Sequence, residues 1–297
     1  MTISVEIRSN IVYMVKAKVN KTNIHVQNTH QFEFPEEWIT EQGIVDVEAF
    51  SQRLMKELAI AQISSKNVNL CLNNSSIIYR ELTIPKVDAK RVPLLVRSEM
   101  MSALNLTPDY VMDHIELETL KHEETDYLRV LAVATLNTAI RSYLRAFAAC
   151  KLKIVTIDSA TNALLKLINL AKVAQKDEQV IIADIGNGHL RLYLFDDGIY
   201  ALSRNTKHRV YVGASNDEII DNIEENINKM IQYSYTRKST HEIKKVYLMG
   251  VDELLPEIER RAIENLNLAA SICKNPPSIT GKLESRYINA VGALIRK

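Results

Sequence analysis

Glycine is scarce in this sequence, with eight residues among 297, well under half of the roughly 7% found in average proteins. Loops that hold phosphate groups usually contain glycines, because their backbone N–H groups must approach the ligand closely. Any nucleotide-binding loop in this chain must therefore use some of these few glycines. The eight glycines are Gly43, Gly186, Gly188, Gly198, Gly213, Gly250, Gly281 and Gly292.

Cysteine and histidine patterns also exclude some kinds of site. Cys71, Cys150 and Cys273 are far apart and lie among apolar residues, which predicts buried, reduced thiols. The seven histidines include no HExxH motif and no pair at metal-ligand spacing. The spacing therefore predicts no dedicated metal site.

Charge of one sign and long apolar runs are missing as well. The chain has 37 Lys and Arg against 36 Asp and Glu. This balance lacks the excess of basic charge that is typical of nucleic-acid-binding proteins. No apolar run approaches the roughly 20 residues of a membrane span. The first residues alternate polar and apolar and lack the apolar segment of a signal peptide. These absences predict a cytoplasmic location, and a soluble domain of a membrane-anchored protein would show the same pattern.

What the sequence does contain is a pattern of strands followed by helices. Alternation over residues 2–18 predicts two strands around Ser9-Asn10, and residues 46–62 form an amphipathic helix pattern with Asp46 as its N-cap. Isoleucines recur every four residues in 216–235, which predicts a helix with a buried stripe. Other predicted strands are 23–34, 67–72, 76–84, 111–120, 128–135, 153–159, 180–184, 190–195, 199–205 and 245–249. Other predicted helices are 86–104, with Pro93 limiting its start, 138–150, 160–173, 254–268 and 286–296.

This order predicts an internal duplication with an insertion. Two halves each begin with a series of hairpin strands and continue into helices, and a helix–strand–strand–helix unit interrupts the first half. We predict an N-terminal half made of residues 1–85 and 151–175, an inserted α+β subdomain at 86–150, and a C-terminal half at 176–297.

Three stretches resemble the actin-like ATPase superfamily. VIIADIGNGHLRLYLFDDG at 180–198 is similar to its second phosphate hairpin, in which a strand ending in Asp-x-Gly turns back on itself. ISVEIRSNIVYMVK at 3–16 has the layout of the first phosphate hairpin. KKVYLMGVDELLPEIE at 244–259 resembles the strand–Gly–helix adenosine motif. The fold class implied is α/β, with actin-like, ribonuclease-H-like duplicated halves.

Within that superfamily the chain resembles the type IV pilus assembly family PilM, which is related to the cell-division protein FtsA. The resemblance rests on the second phosphate hairpin with Arg204 after it and on three further stretches in order. These are RELTIPKVDAKRVPLLVRSEM at 80–100, RVLAVATLNTAIRSYLRAFAACKLKIVTIDSATNALLKL at 129–167 and YINAVGALIRK at 287–297. It implies an inserted α+β subdomain of the FtsA type.

The resemblance also implies a degenerate nucleotide site. Its cofactor-binding residues would be Asp184, Gly186, Asn187, Gly188 and Gly250. An Asn-Gly pair is also an ordinary hairpin turn, so a turn without a ligand remains an alternative.

Departures from the family pattern predict weak or no ATP–Mg binding. The family's Asp-Ile-Gly-Ser is here Glu6 to Ser9, which places Arg8 where backbone should approach phosphate, and the family's lysine is Tyr13. Glu6 itself is expected to be an exposed or turn-facing carboxylate, and Arg8 to occupy a turn that suits it poorly. Val251 replaces a second glycine after Gly250, and the stretch between Asp184 and Gly250 is too short for the family's helical lid. Losing two or three hydrogen bonds to phosphate would cost roughly 3–9 kcal/mol.

In the family, a cleft beside the inserted subdomain receives the short cytoplasmic tail of the membrane protein PilN. An extended peptide in an apolar groove is a common recognition mode. The candidate contact residues here are Leu82, Ile84, Val87, Leu94 and Leu95, for which ordinary packing between subdomains is the alternative.

We therefore predict a cytoplasmic scaffold of the pilus alignment complex, at the inner face of the membrane, with no catalytic residue, no metal and no required cofactor. Its expected partners are PilN-like and PilO-like membrane proteins and the pilus assembly ATPase machinery. Two alternatives stay open: an active actin-like ATPase that uses Asp184 for its metal, and the cytoplasmic domain of a type II secretion GspL-like protein.

Overall fold

The computed structural model describes residues 2–21, 23–123, 125–186, 188–207, 215–237, 241–251 and 253–296. Its strands, numbered in chain order, are β1 (Thr2–Arg8), β2 (Ile11–Asn20), β3 (Asn23–Glu33), β4 (Ile39–Thr40), β5 (Gly43–Ile44), β6 (Asn67–Asn73), β7 (Ile78–Pro85), β8 (Tyr110–Leu120), β9 (Tyr127–Leu136), β10 (Lys153–Ser159), β11 (Gln179–Gly186), β12 (His189–Asp196), β13 (Ile199–Lys207), β14 (Ile243–Gly250), β15 (Ala269–Ile272) and β16 (Ile279–Thr280). Its α-helices are α1 (Val47–Ile60), α2 (Val92–Leu104), α3 (Asn137–Ala149), α4 (Ala160–Ala171), α5 (Asn216–Tyr235), α6 (Leu255–Leu266) and α7 (Ile288–Gly292).

The chain divides into two compact units. The first holds residues 1–20, 26–163 and 290–297, and the second holds 21–25 and 164–289. The boundary therefore falls inside α4, whereas the sequence placed 151–175 with the N-terminal half. Residues 21–25 join the second unit because Ile24 and His25, at the start of β3, pair in parallel with β16.

The sheet of the first unit has the strand order β10-β6-β1-β2-β3. β1 and β2 form the predicted antiparallel hairpin, and β6 pairs in parallel with β1 on one side and with β10 on the other. The side chain of Asp46 accepts the N–H of Ala49 and caps α1, as predicted. Phe50 and Leu54 from α1 pack with Tyr143 and Phe147 from α3 in the core beneath this sheet.

The inserted subdomain is a three-stranded sheet of order β7-β9-β8 with α2 packed on one face. Its core includes Ile84, Val96, Met100 and Val130. These elements place the insertion at 78–136, which differs from the predicted 86–150 at both ends. β7 belongs to it because it pairs along its whole length with β9, and α3 does not because its apolar side packs into the main core of the first unit.

The sheet of the second unit has the order β15-β14-β11-β12-β13, which repeats the arrangement of the first. β11 is antiparallel to β12 and parallel to β14. Helix α5 spans the predicted residues and begins with a capping box, in which Ser215 and Glu218 bond each other's backbone N–H groups. Ile223 and Ile227 are buried in the core, which confirms that this stripe is packing.

Two segments of the second half are short. Between Asp184 and Gly250 lie β12, β13 and α5, and eight residues separate the last two of these elements. The predicted final helix at 286–296 is reduced to α7, which follows a short 3-10 helix at Ser285–Tyr287.

Residues after α7 return to the first unit. Ala293 forms a small buried cluster with Cys71, Ala160 and Ala163. Gly292 lies against the backbone of Ala163, so that a Cβ atom added there would be 2.2 Å from the Ala163 carbonyl oxygen. This contact fixes the path of the chain after α7.

Within the described ranges, every helix is too short or too polar to cross a lipid bilayer. All three cysteines are free thiols, but the predicted burial is complete for Cys71 alone. Cys71 is fully buried, whereas Cys150 and Cys273 are partly buried.

Candidate functional site

The first hairpin, at the turn between β1 and β2, is filled by a pair of buried charges. Glu6 and Arg8 lie two residues apart on one strand and therefore point to the same face. Glu6 is 0% exposed and Arg8 is 2% exposed. The Arg8 Nε atom donates to Glu6 Oε1 at 2.8 Å, so the two charges neutralise each other.

Two further side chains complete this cluster. Asn73, at the end of β6, donates from Nδ2 to the same Glu6 oxygen at 2.9 Å. The Arg8 guanidinium lies over the ring of Tyr13, 5.3 Å from its centroid, at a distance typical of a cation–π contact. Side chains of the protein therefore pack against one another at the position where the resemblance predicts a phosphate-binding hairpin.

Two expectations about this hairpin are wrong. Glu6 was expected to be exposed or turn-facing, but it is fully buried because it pairs with Arg8. Arg8 was expected to strain a turn, but it belongs to strand β1, and the positive φ of 50° lies at Ser9 instead. The arginine is accommodated inside the sheet rather than at the tip of the loop.

The second hairpin, between β11 and β12, carries the predicted cofactor residues. Asp184 lies in β11, is 0% exposed, and accepts a hydrogen bond from Asn289 Nδ2 at 2.9 Å. Gly186 ends the strand, and Gly188 has a φ of 76° in the turn. The predicted residue Asn187 lies outside the described residues.

A histidine covers one glycine of this turn. A Cβ atom added to Gly186 would lie 2.1 Å from Cε1 of His189, so the imidazole ring packs directly on that glycine. A side chain at position 186 would therefore collide with the His189 ring, so the glycine is needed for this packing.

Gly250, the last predicted cofactor residue, ends β14. Its φ is +119°, and an added Cβ would lie 1.8 Å from the carbonyl oxygen of Ile185 on the neighbouring strand. Its N–H donates to Ser285 Oγ at 3.0 Å. The structure thus brings Asp184, Gly186, Gly188 and Gly250 to one end of this sheet and gives Gly250 a packing role there.

Cys273, beside Asp184, is expected to be chemically inert. Burial and, to a smaller extent, the negative charge of Asp184 together raise the pKa of its thiol to about 12. Because the thiolate is the reactive species, we expect iodoacetamide at pH 8 to modify Cys273 roughly a hundredfold more slowly in the folded chain than in urea. Peptide mass spectrometry after brief labelling measures the ratio of the two rates. Equal rates in the folded and the urea-unfolded chain would contradict the prediction that Cys273 is inert.

The five predicted peptide-contact residues do not share one environment. Ile84 is 1% exposed and belongs to the core of the inserted subdomain, so that it cannot offer a surface to a partner. Leu82, Val87 and Leu95 are partly buried against the same core. Leu94 on α2 is 71% exposed and is the member of this set that presents a large apolar surface to solvent.

Sequence reasoning missed the residues that hold these groups in place. Asn73, Ser285 and Asn289 bond Glu6, Gly250 and Asp184 from positions far along the chain. The one available signal was Asn289, because it lies within the C-terminal stretch on which the family resemblance depends.

Two sheets of the same strand order, each starting from an antiparallel hairpin and continuing with parallel strands, define an actin-like fold. The chain carries this fold with an inserted subdomain and a filled first hairpin. A family model described as type IV pilus assembly protein PilM matches residues 4–223, about three quarters of the chain, and the chain belongs to that family.

Solved structures agree with this fold. The chain is similar to a PilM-PilN type IV pilus biogenesis complex, with a TM-score of 0.83 and 16% identity over 100% of this chain and 99% of that one. A Bacteroides thetaiotaomicron protein with an actin-like ATPase fold and unknown function gives 0.55 and 12%, over 99% and 95% of the chains. The cytoplasmic domain of EpsL from Vibrio cholerae gives 0.51 and 7%, over 100% and 95%. No curated protein sequence matches the chain.

Proposed function

We propose that this protein is a cytoplasmic scaffold at the inner face of the membrane in type IV pilus assembly, and that it works without ATP. It binds the cytoplasmic tail of a PilN-like membrane protein, and it contacts a PilO-like protein and the assembly ATPase machinery. Membership of the pilus assembly family supports the setting. The observation that carries the nucleotide-independent role is the buried Arg8–Glu6 pair in the first hairpin.

The described side chains do not fit a magnesium nucleotide. Arg8 is buried against Glu6 and Tyr13, where the family has a glycine and a lysine. Asp184, the candidate metal ligand, is fully buried and accepts from Asn289. A phosphate would have to displace these contacts and break a buried ion pair, and breaking such a pair costs about 3–5 kcal/mol. This favours a scaffold over the alternative of an active ATPase.

Calorimetric titration of the full chain tests the proposal in two arms. In the first, ATP with Mg²⁺ is added to about 1 mM, and we expect no binding heat. In the second, a synthetic peptide of the cytoplasmic tail of the PilN-like protein from the same organism is added, and we expect micromolar binding. Micromolar ATP binding that disappears in Asp184→Ala would overturn the proposal and favour an ATPase.

Leu94 provides the sharpest test of the peptide surface. Burying a leucine side chain is worth about 1.5–3 kcal/mol, so Leu94→Asp should weaken peptide binding by roughly tenfold or more. Because Leu94 is 71% exposed, the free energy of unfolding should change by less than about 0.5 kcal/mol.

The matched control for this substitution is Ile263→Asp on α6, another aliphatic side chain that is 50% exposed. It should leave peptide affinity unchanged. Equal weakening by both variants, or an unchanged affinity in Leu94→Asp, would place the peptide elsewhere.

The second alternative, a GspL-like secretion component, has support from the fold similarity to the cytoplasmic domain of EpsL. The family match favours pilus assembly over it. A pull-down with tagged full chain, followed by mass spectrometry, separates the two. Recovery of secretion-system membrane proteins in place of pilus proteins would favour the alternative.

A further inference from the structure

A group of metal-ligating side chains lies in the second unit, at the end of its sheet opposite the glycine turn. Asp177 precedes β11, Asp197 follows β12, and His241 precedes β14. One ligand atom from each lies within 4.8 Å of the other two. Two carboxylates and one imidazole therefore converge from three separate segments of the chain.

The strand pairing explains why these segments meet. Gln179, the first residue of β11, is opposite Asp196 in β12 and beside Ile243 in β14. The start of β11, the end of β12 and the start of β14 thus share one edge. No local motif encodes this arrangement, which is why histidine spacing in the sequence predicted no metal site.

The imidazole is held by a carboxylate that is not among the three ligands. The Nδ1 atom of His241 lies 2.9 Å from Asp196 Oδ1, and the other Asp196 oxygen accepts from Gln179 Nε2 at 3.0 Å. A carboxylate bonded to one ring nitrogen, with the metal at the other, is the usual arrangement around metal-binding histidines. The contact with Asp196 therefore gives the His241 ring the kind of support that metal-binding histidines have.

We propose that Asp177, Asp197 and His241 bind a divalent transition-metal ion such as Zn²⁺, and that Asp196 acts as a positioning residue for His241. Mixed carboxylate and imidazole ligands suit Zn²⁺ and its neighbours better than Mg²⁺ or Ca²⁺, which favour oxygen ligands. Water molecules complete the coordination, because Asp177 and Asp197 are exposed.

Charge at this edge agrees with the proposal. The hydrogen bond that the His241 ring donates to Asp196 raises the pKa of His241, and the charges of Asp196, Asp197 and Asp177 raise it further. Three carboxylates that favour a positive charge on the imidazole also favour a metal cation beside it. Protons and metal compete for the ring, so the metal affinity should fall as the pH is lowered.

Titration of the full, reduced chain with ZnCl₂ at pH 7.5 tests the site by calorimetry. We expect one Zn²⁺ per chain, and at least tenfold weaker binding in His241→Ala and in Asp197→Asn. Asn tolerates the positive φ of 56° at position 197, so the second variant keeps the backbone. His122→Ala, which removes an exposed histidine from the inserted subdomain, is the matched control and should bind as the wild type does.

Asp196→Asn separates positioning from general stability. We expect it to weaken Zn²⁺ binding by about 10–100-fold, and nitrogen NMR of His241 should show that the ring loses its fixed tautomer. Binding weaker than millimolar in the wild type, or unchanged binding in His241→Ala, would overturn the proposal. These outcomes are independent of pilus assembly, since the test uses the metal alone.

Discussion

Replacement of Arg8 by methionine is expected to lower the free energy of unfolding by about 3–5 kcal/mol. The guanidinium is 2% exposed and donates to Glu6, which is 0% exposed. Without it, Glu6 either stays charged in a buried position that lacks the positive charge of Arg8 or takes up a proton, and both cost free energy. Urea denaturation followed by circular dichroism measures the loss.

A second substitution shows whether the loss comes from the unpaired carboxylate. In the double variant Arg8→Met with Glu6→Gln, the new amide is neutral, and its oxygen can still accept from Asn73. We expect it to recover most of the lost stability, as buried ion pairs replaced by neutral groups often do.

Arg80→Met is the matched control, because Arg80 is an exposed arginine on β7. It should change stability by less than about 0.5 kcal/mol. If the Arg8 variant were as stable as this control, the pair would not be what holds the first hairpin together.

Gly250→Ala is the second substitution with a large expected effect. The added Cβ would lie 1.8 Å from the Ile185 carbonyl oxygen, and backbone on a neighbouring strand cannot move away cheaply. The φ of +119° adds backbone strain of roughly 1–3 kcal/mol. We expect a total loss above about 3 kcal/mol, measured by urea denaturation or as loss of soluble chain on expression.

Gly198→Ala separates strain from collision. Gly198 also has a positive φ, +78°, but its added Cβ would meet nothing closer than 3.5 Å. It should therefore show the strain alone and lose about 1–2 kcal/mol. Similar losses in the two variants would argue against the close approach of β11 to β14.

Local elements were predictable because their signals are local. The bounds of α5 and β10 match the predicted ranges, and the capping residue of α1 was identified from the sequence. The isoleucine periodicity of α5 and the capping aspartate of α1 are each signals that depend only on residues close together in the sequence. The matching strand order of the two sheets likewise supports the duplication inferred from the order of elements.

The site was harder to predict because its contacts are long-range. Alternation in β1 puts Glu6 and Arg8 on one face, so their pairing could have been anticipated. The contribution of Asn73 could not, since it depends on the parallel register of β1 and β6. Alternation in β7 likewise gives two faces but does not say that α2 covers the one carrying Ile84.

The return of the last residues to the first unit limits when that unit can be completed during synthesis. Residues 21–25 and 164–289 make up the second unit, and all of them are synthesised before Ala290. The space beside Cys71, Ala160 and Ala163 is filled by Ala293, which is made long after them. The first unit therefore cannot complete this buried cluster until residues 290–296 have been synthesised, although its other residues are made much earlier.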